Sequence, residues 1–210
     1  MTLHTRNLRT ADLGEAVELV IAAIPEIPLY TWALGDSADD PGVIDWLARA
    51  LLRGHLANGT AVGAFADDSL VGVVTWAAAE RATPPVDADA AAHDVAVLKA
   101  HLDMAKRLAL TMQMERESLM HPDPEAVHVE IAAVRADHRQ RGALMALMLP
   151  IQTMCRDENR RFTCVTGSAT LRRVFAASLN MTEYRTTAIG DVPLYCLTSA
   201  VPPVVRPRNR

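Results

Sequence analysis

The sequence predicts a mixed α/β fold, and three features carry the prediction. Its second half alternates short β-branched runs with helical stretches, a hairpin pattern precedes that alternation, and Ala90 to Met120 holds neither Gly nor Pro. Strand-helix alternation behind a hairpin argues for a mixed sheet with helices packed on it rather than for an all-parallel one.

Leu3 to Arg9 alternates loosely and should form a first strand, while Thr10 and Asp12 offer side-chain oxygens to cap a helix over Leu13 to Ile24. Pro25 and Pro28 stop it. Ile27 to Asp40 mixes Leu29, Tyr30, Trp32 and Leu34 with acids, and Pro41 then starts a helix with Val43, Trp46, Leu47, Ala50 and Leu51 at helical spacing. Thr60 to Ala66 and Leu70 to Ala77, joined by Asp67-Asp68, read as a β-hairpin in which Gly63 and Gly72 mark close approach or bulging. Glu80 to Asp89 contains Pro84-Pro85 and is expected as an exposed loop. Leu98, Leu102, Ala105, Leu108, Ala109 and Met112 recur at three- and four-residue steps, which gives one long helix or two abutting ones up to Met120. Met104, Met112, Met114 and Met120 are read as adaptable core filling, and His121-Pro122-Asp123-Pro124 ends the helical part.

Next come a strand to Val134, a turn over Arg135 to Arg141, and a helix from Ala143 to Met154 opened by Gly142. Phe162 to Thr166 is a strand, Ala169 to Leu179 a helix, and Thr182 to Ile189 with Leu194 to Thr198 a closing pair. Residues 1–200 are expected as a single domain and 201–210, with three prolines, as a flexible tail.

Half of the 210 residues are hydrophobic and 22% are charged, a globular composition. A net charge of -4 argues against a dedicated nucleic-acid binder. Cys155, Cys164 and Cys196 are few, odd in number and not spaced like a zinc site, so no metal is expected and a reducing cytoplasm suits them. The N-terminus lacks an apolar core of signal-peptide length, and no apolar run reaches the ~20 residues of a membrane span, so neither export nor membrane insertion is expected. There is no G-x-S-x-G elbow, phosphate-binding Walker loop, H-E-x-x-H or G-x-G-x-x-G. His93-Asp94, His101 with Asp103, and His121 with Asp123 read as solvated helix face or helix end.

The strand, basic turn and helix around residue 140 form the stretch with a chemical use. The first turn of a helix leaves N-H groups unpaired at the positive end of its dipole, so an anion is stabilised there, and Arg139, Arg141 and Gly142 suit a pyrophosphate. Such residues are also ordinary connectors between a strand and a helix.

Val134, Arg139 and Gly142 fall where the acyl-CoA-binding motif of the GNAT acetyltransferase superfamily, V-x-x-x-x-[RQ]-x-x-G-x-[GA], has its fixed residues, and the segment resembles that motif. Leu144 departs from it, standing where Gly or Ala is usual. RTADLGEAV, GTAVGAFADDSLVGVVTW, VRADHRQRGALMALMLPIQ and VPLYCLT extend the likeness over nearly the whole chain, and within the superfamily it is similar to puromycin N-acetyltransferase-like members.

The resemblance implies a GNAT fold: a mixed, mostly antiparallel sheet of about six to seven strands that splays between the fourth and fifth, flanked by helices. It also implies acetyl-CoA or another acyl-CoA as co-substrate and a small-molecule amine as acceptor, and it leaves room for a homodimer. Backbone groups of Ala132, Ala133 and Val134 would bond the pantetheine and polarise the thioester, and those of Arg139, Gln140, Arg141, Gly142, Ala143 and Leu144 would hold the pyrophosphate. His128 or Glu130 would be the base, on one face with Ala132 barring a bulge. Tyr30 and Trp32 would line the acceptor side, or serve only as core or lid aromatics.

The segment SATLRRVFAASLNM puts Ala176 where the family commonly has an acid tyrosine and Arg172 where it has an asparagine. A CoA thiol can leave as thiolate without that acid, or Ser168, Ser178 or Tyr184 would substitute for it, and Arg172 with Arg173 would grip the cofactor's 3′-phosphate or remain solvated. Three functions stay open on this basis: N-acyl transfer, acyl-CoA binding without turnover by a sensor or regulatory protein, and other thioester chemistry on the same fold such as O-acylation or decarboxylation.

Overall fold

The computed structural model describes residues 3–77, 87–116, 123 and 125–204. A seven-stranded sheet runs in the order β1-β2-β3-β4-β5-β7-β6, with β1 Leu3–Asn7, β2 Ala61–Ala66, β3 Ser69–Ala77, β4 Val127–Val134, β5 Phe162–Thr166, β6 Thr182–Ile189 and β7 Val192–Thr198. Every neighbouring pair is antiparallel except β4 and β5.

β2 and β3 lie at the centre of the larger half and are buried on both faces, which is why they read as nearly continuous apolar runs. Asp67 and Asp68, at φ 47° and 66°, make their two-residue connection in the left-handed form that matches strand twist. Gly63 and Gly72 mark the tight places expected of them. A Cβ would sit 2.5 Å from Leu8 Cδ2 at the first and 2.9 Å from Leu147 Cδ1 at the second.

The helices α1 (Leu13–Ala23) and α3 (Pro41–Asn58) cover one face of the sheet, where Val17, Val20, Leu47 and Leu52 meet Val73, Ile131 and Ala133. The other face carries α6 (Ala143–Asp157) and α7 (Ala169–Leu179), whose Leu147, Met148, Ile151, Phe175 and Leu179 close over Val74, Val127, Val129 and Phe162. Asp40 caps α3 by accepting from the N-H groups of Gly42 and Val43, ahead of Pro41 at the first helical position.

Between α1 and α3 the chain forms a further helix, α2 (Pro28–Leu34), in a segment whose mixed composition gave no helical period. The long Gly-free stretch is two helices, α4 (Ala88–Ala100) and α5 (Leu102–Arg116), broken at His101. His101 Nδ1 lies 2.9 Å from Ser37 Oγ, and Asp94 accepts from Trp46 Nε1 at 2.8 Å and pairs with Arg53. Asp94 and His101 are therefore tethers between helices rather than solvated face. The expected Pro84-Pro85 loop, the end of that helix at Met120, His121-Pro122 and the last tail residues lie outside the described residues.

Candidate active site

β4 and β5 pair only over Val127, Val129 and His128 with Phe162, Cys164 and Thr163. Beyond that point the two strands separate, which is the expected splay, and the edge of β4 from Glu130 to Val134 has no partner in β5. Arg135 N donates to Val71 O, so strand alternation turns Ala133's backbone groups toward β3 as well, and those of Ala132 and Val134 into the cleft. Ala133, expected to offer its backbone groups to a bound chain, spends them on β3, and Val134 O is taken by Arg139.

A bulge sits at the vertex of the splay. Thr75 stands opposite Ile131 and Trp76 opposite Val129, leaving Glu130 as the extra residue. Val127 and Val129 point toward α6, so His128 points toward the α1–α3 face, and after the bulge Ile131 and Ala133 do the same. Ala132 is thereby shifted to the face opposite His128, a correction to the simple alternation. His128 Nδ1 is 3.0 Å from Thr163 Oγ1 across the last pairs of the two strands. Glu130, its side chain 38% exposed, places Oε2 2.8 Å from His55 Nε2, and His55 Nδ1 lies 3.0 Å from Thr60 Oγ1. His55 passed unnoticed in the sequence because it stands 75 positions from Glu130 on an amphipathic helix.

The turn after β4 ends in a concave stretch of backbone. Gln140 and Gly142 have φ of 62° and 83°, Gly142 carries no side chain to fill the bend, and the first bond of α6 is Ala146 N to Gly142 O. The N-H groups of Ala143 and Leu144 belong to the first turn, which has no acceptors of its own. Leu144 is half-buried against the α6-side core, so its side chain points beneath the bend and not into it. Arg139 donates from Nε to Val134 O at 3.1 Å and pairs with Glu26 at 2.8 Å, tying this turn to the segment before α2. Among the described residues, no carboxylate pairs with Arg141.

The two sides of the cleft differ in character. On the α6–α7 side it is apolar, lined by Val129 and Ala132 of β4, Cys164 of β5, Met148 of α6, Phe175 of α7 and Met181. On the other side lie His128, Thr163, Glu130 and His55. Helix α2 bridges two cores, because Tyr30 and Leu34 pack with the α1–α3 side while Leu29 and Trp32 pack with Ile189, Val192 and Leu194 of β6 and β7. Trp32 lies on Gly190, with Nε1 2.3 Å from where a Cβ would be, and Arg107 stacks on its ring and donates to its carbonyl at 2.8 Å. Tyr30 and Trp32 thus fasten α2 to two separate cores.

The sequence-derived acid candidates are placed away from the vertex. Ser168 is the N-cap of α7, its Oγ accepting from Leu171 N at 3.3 Å. Tyr184 lies on β6, three strand steps of about 4.8 Å from β4. Burial, with the neighbouring Cys196 thiol to which it bonds, pushes its phenol above the ordinary range. Burial likewise raises the thiols of Cys164 and Cys196, and that of Cys155 to about 12. Arg172 pairs with Glu183 at 2.8 Å and stacks on Tyr195, turned toward β6 and β7. Ala176 is exposed.

No protein-family model matches the chain, and no curated protein sequence does. Solved structures do match. A mosquito arylalkylamine N-acetyltransferase-like protein, 5b, is 18% identical with a TM-score of 0.65, covering 94% of this chain and 99% of its own. A Bacillus cereus acetyltransferase of the GNAT family is 13% identical with a TM-score of 0.55, covering 95% and 97%. An N-acetyltransferase from Thermoplasma acidophilum in complex with coenzyme A is 10% identical with a TM-score of 0.55, covering 94% and 98%. The fold is the GNAT fold.

Proposed function

We propose that this chain is an acyl-CoA-dependent N-acyltransferase of the GNAT superfamily, moving an acetyl or other short acyl group to the amine of a small molecule. The observation that carries the reading is the continuity of one surface. A strand edge unpaired by β5, open at Ala132 and at the N-H of Val134, leads directly to a left-handed glycine and an uncapped helix start at residues 142–144. A pantetheine arm finds amide partners along that edge, and a diphosphate finds N-H groups and Arg141 at its end. The solved acetyltransferases of the same fold, one of them with coenzyme A, support this assignment.

The reaction then needs little from side chains. The amine nitrogen attacks the thioester carbon, a main-chain N-H of the splayed edge stabilises the oxyanion, and the C–S bond breaks with CoA leaving as thiolate. The amine's proton passes to Glu130 or His128, which occupy the polar side of the vertex. An acid is dispensable for a thiol leaving group, in keeping with Ser168 serving as a cap and Tyr184 held on Cys196. We propose a cytoplasmic location, a reading that three unpaired, buried cysteines support.

A second reading, acyl-CoA binding without turnover, is favoured by the exposed Ala176 and by Arg172 being engaged with Glu183. Calorimetry with acetyl-CoA, followed by thiol release across a panel of aryl, alkyl and polyamine substrates, separates the two. Binding with release establishes transfer, binding with no release from any amine establishes the sensor, and no heat with any CoA ester removes both.

A further inference from the structure

Glu130 stands on a bulge and is 38% exposed, a setting in which a free glutamate samples several rotamers. We propose that His55 is a positioning residue that holds the Glu130 carboxylate at the vertex of the cleft, so that the acceptor amine is deprotonated from the α1–α3 face. The inference rests on the N-acyltransferase reading and specifies the side from which the acceptor enters.

The geometry fixes the protons. An ionised carboxylate can only accept, so the 2.8 Å contact requires a hydrogen on His55 Nε2, donated to Glu130 Oε2. In the neutral ring Nδ1 is then an acceptor, and Thr60 Oγ1, 3.0 Å away on a residue only 2% exposed, donates to it. The same hydroxyl lies 3.4 Å from the main-chain oxygen of His55. Should the ring take a second proton at Nδ1, Thr60 can turn its hydrogen to that oxygen and accept instead. Thr60 therefore keeps the ring oriented in either charge state, while Oε1 of Glu130 stays available for the proton of the amine. His55 is itself set by the last turn of α3, and its side chain is 14% exposed.

The test is a cycle of variants in the full chain, His55→Leu, His55→Gln, Glu130→Gln and the double variant His55→Leu with Glu130→Gln. The assay is thiol release at saturating amine. His55→Leu should lower kcat about ten- to hundredfold, within what a positioned base contributes, and leave the KM for acetyl-CoA unchanged. His55→Gln, which retains an N-H of similar reach, should restore most of the rate. In the Glu130→Gln background the loss from His55→Leu should vanish. An equal loss in both backgrounds, or an unchanged kcat in His55→Leu, overturns the proposal.

Thr60→Val gives a second reading if His55→Leu does not fold, and should lower kcat less than His55→Leu is expected to. A kcat equal to that of the natural chain counts against the network. The ¹⁵N signal of His55 Nε2 reports the contact without turnover. A shift on Glu130→Gln supports the pairing even if no amine is acylated, and no shift overturns it while leaving the acyl-CoA site intact.

Discussion

Helices α6 and α7 both follow a strand that borders the cleft, yet they begin in opposite ways. At α7, Ser168 Oγ accepts from Leu171 N, and Thr166 Oγ1 accepts from Ser168 N. At α6, the N-cap is Gly142 in a left-handed conformation with no capping side chain. A serine or aspartate cap contributes about 1 kcal/mol, and the chain supplies one at α7 and another, Asp40, at α3. α1 and α2 also lack a side-chain cap, but α6 is the one whose preceding strand separates from β5 and opens on the cleft. Polar groups left unpaired on two successive elements, facing the same opening, are what set the proposed cofactor surface apart from the start of α7.

The largest effect should come from filling the bare end. Gly142→Val places a β-branched side chain at φ 83°, and nothing else lies within 4 Å of its Cβ, so the change acts through backbone strain and volume in the bend rather than through the core. Calorimetry should show the Kd for CoA raised about tenfold or more, roughly 1.4 kcal/mol per decade. An unaltered Kd would erase the distinction between the two helices. Ser168→Ala tests the other end, where unfolding in urea should show about 1 kcal/mol lost with CoA affinity intact. A drop in affinity would mean that the cap belongs to the site. Arg141→Gln sharpens the comparison at α6: a roughly threefold rise in Kd, about 0.6 kcal/mol, and a weaker dependence of binding on salt are expected. Arg139, already held by Glu26 and Val134 O, should change affinity less.

The parts of this arrangement that repeat along the chain were legible in the sequence. Phe162–Thr166, Ala169–Leu179 and Thr182–Ile189 run as expected, because each is bounded by a turn residue and holds one period throughout. The bend at Gly142 was legible because the glycine breaks a polar turn from a helix former's run. The bulge at Glu130 was not, since it is dictated by the register of β3 against β4, which no local pattern encodes. His55 was invisible for the same reason, its partner being brought by the sheet. Helix α2 has seven residues, too few to show a period, and its two faces serve two separate cores. The side chains of Arg139 and Arg172 were expected at a cofactor and are spent on Glu26 and Glu183, partners that only the fold brings near.

Neither Thr10 nor Asp12 caps α1 as expected; Asp12 instead closes the single turn Thr10–Asp12 ahead of it, with a group that titrates, and so the contrast with Ser168 extends to pH. Asp12 accepts from Arg6 through both oxygens, at 2.7 and 2.8 Å, and from Arg9 N at 2.7 Å. The Arg6 bonds, against the opposing effect of burial, lower its carboxyl to about 2. In the unfolded chain it would titrate near 3.9. A carboxylate lowered by folding stabilises above its unfolded value, and the contribution fades as pH falls from about 4 toward 2. Arg6 is 39% exposed, so the solvent-screened pair contributes only about 0.5 kcal/mol. Urea unfolding of Asp12→Asn should show a lower midpoint than the natural chain at pH 7 and a difference that closes as pH approaches 2, whereas the loss from Ser168→Ala should be the same at both. A gap for Asp12→Asn that persists at pH 2 would mean that the side chain holds the turn ahead of α1 by neutral hydrogen bonds, as Ser168 holds the start of α7.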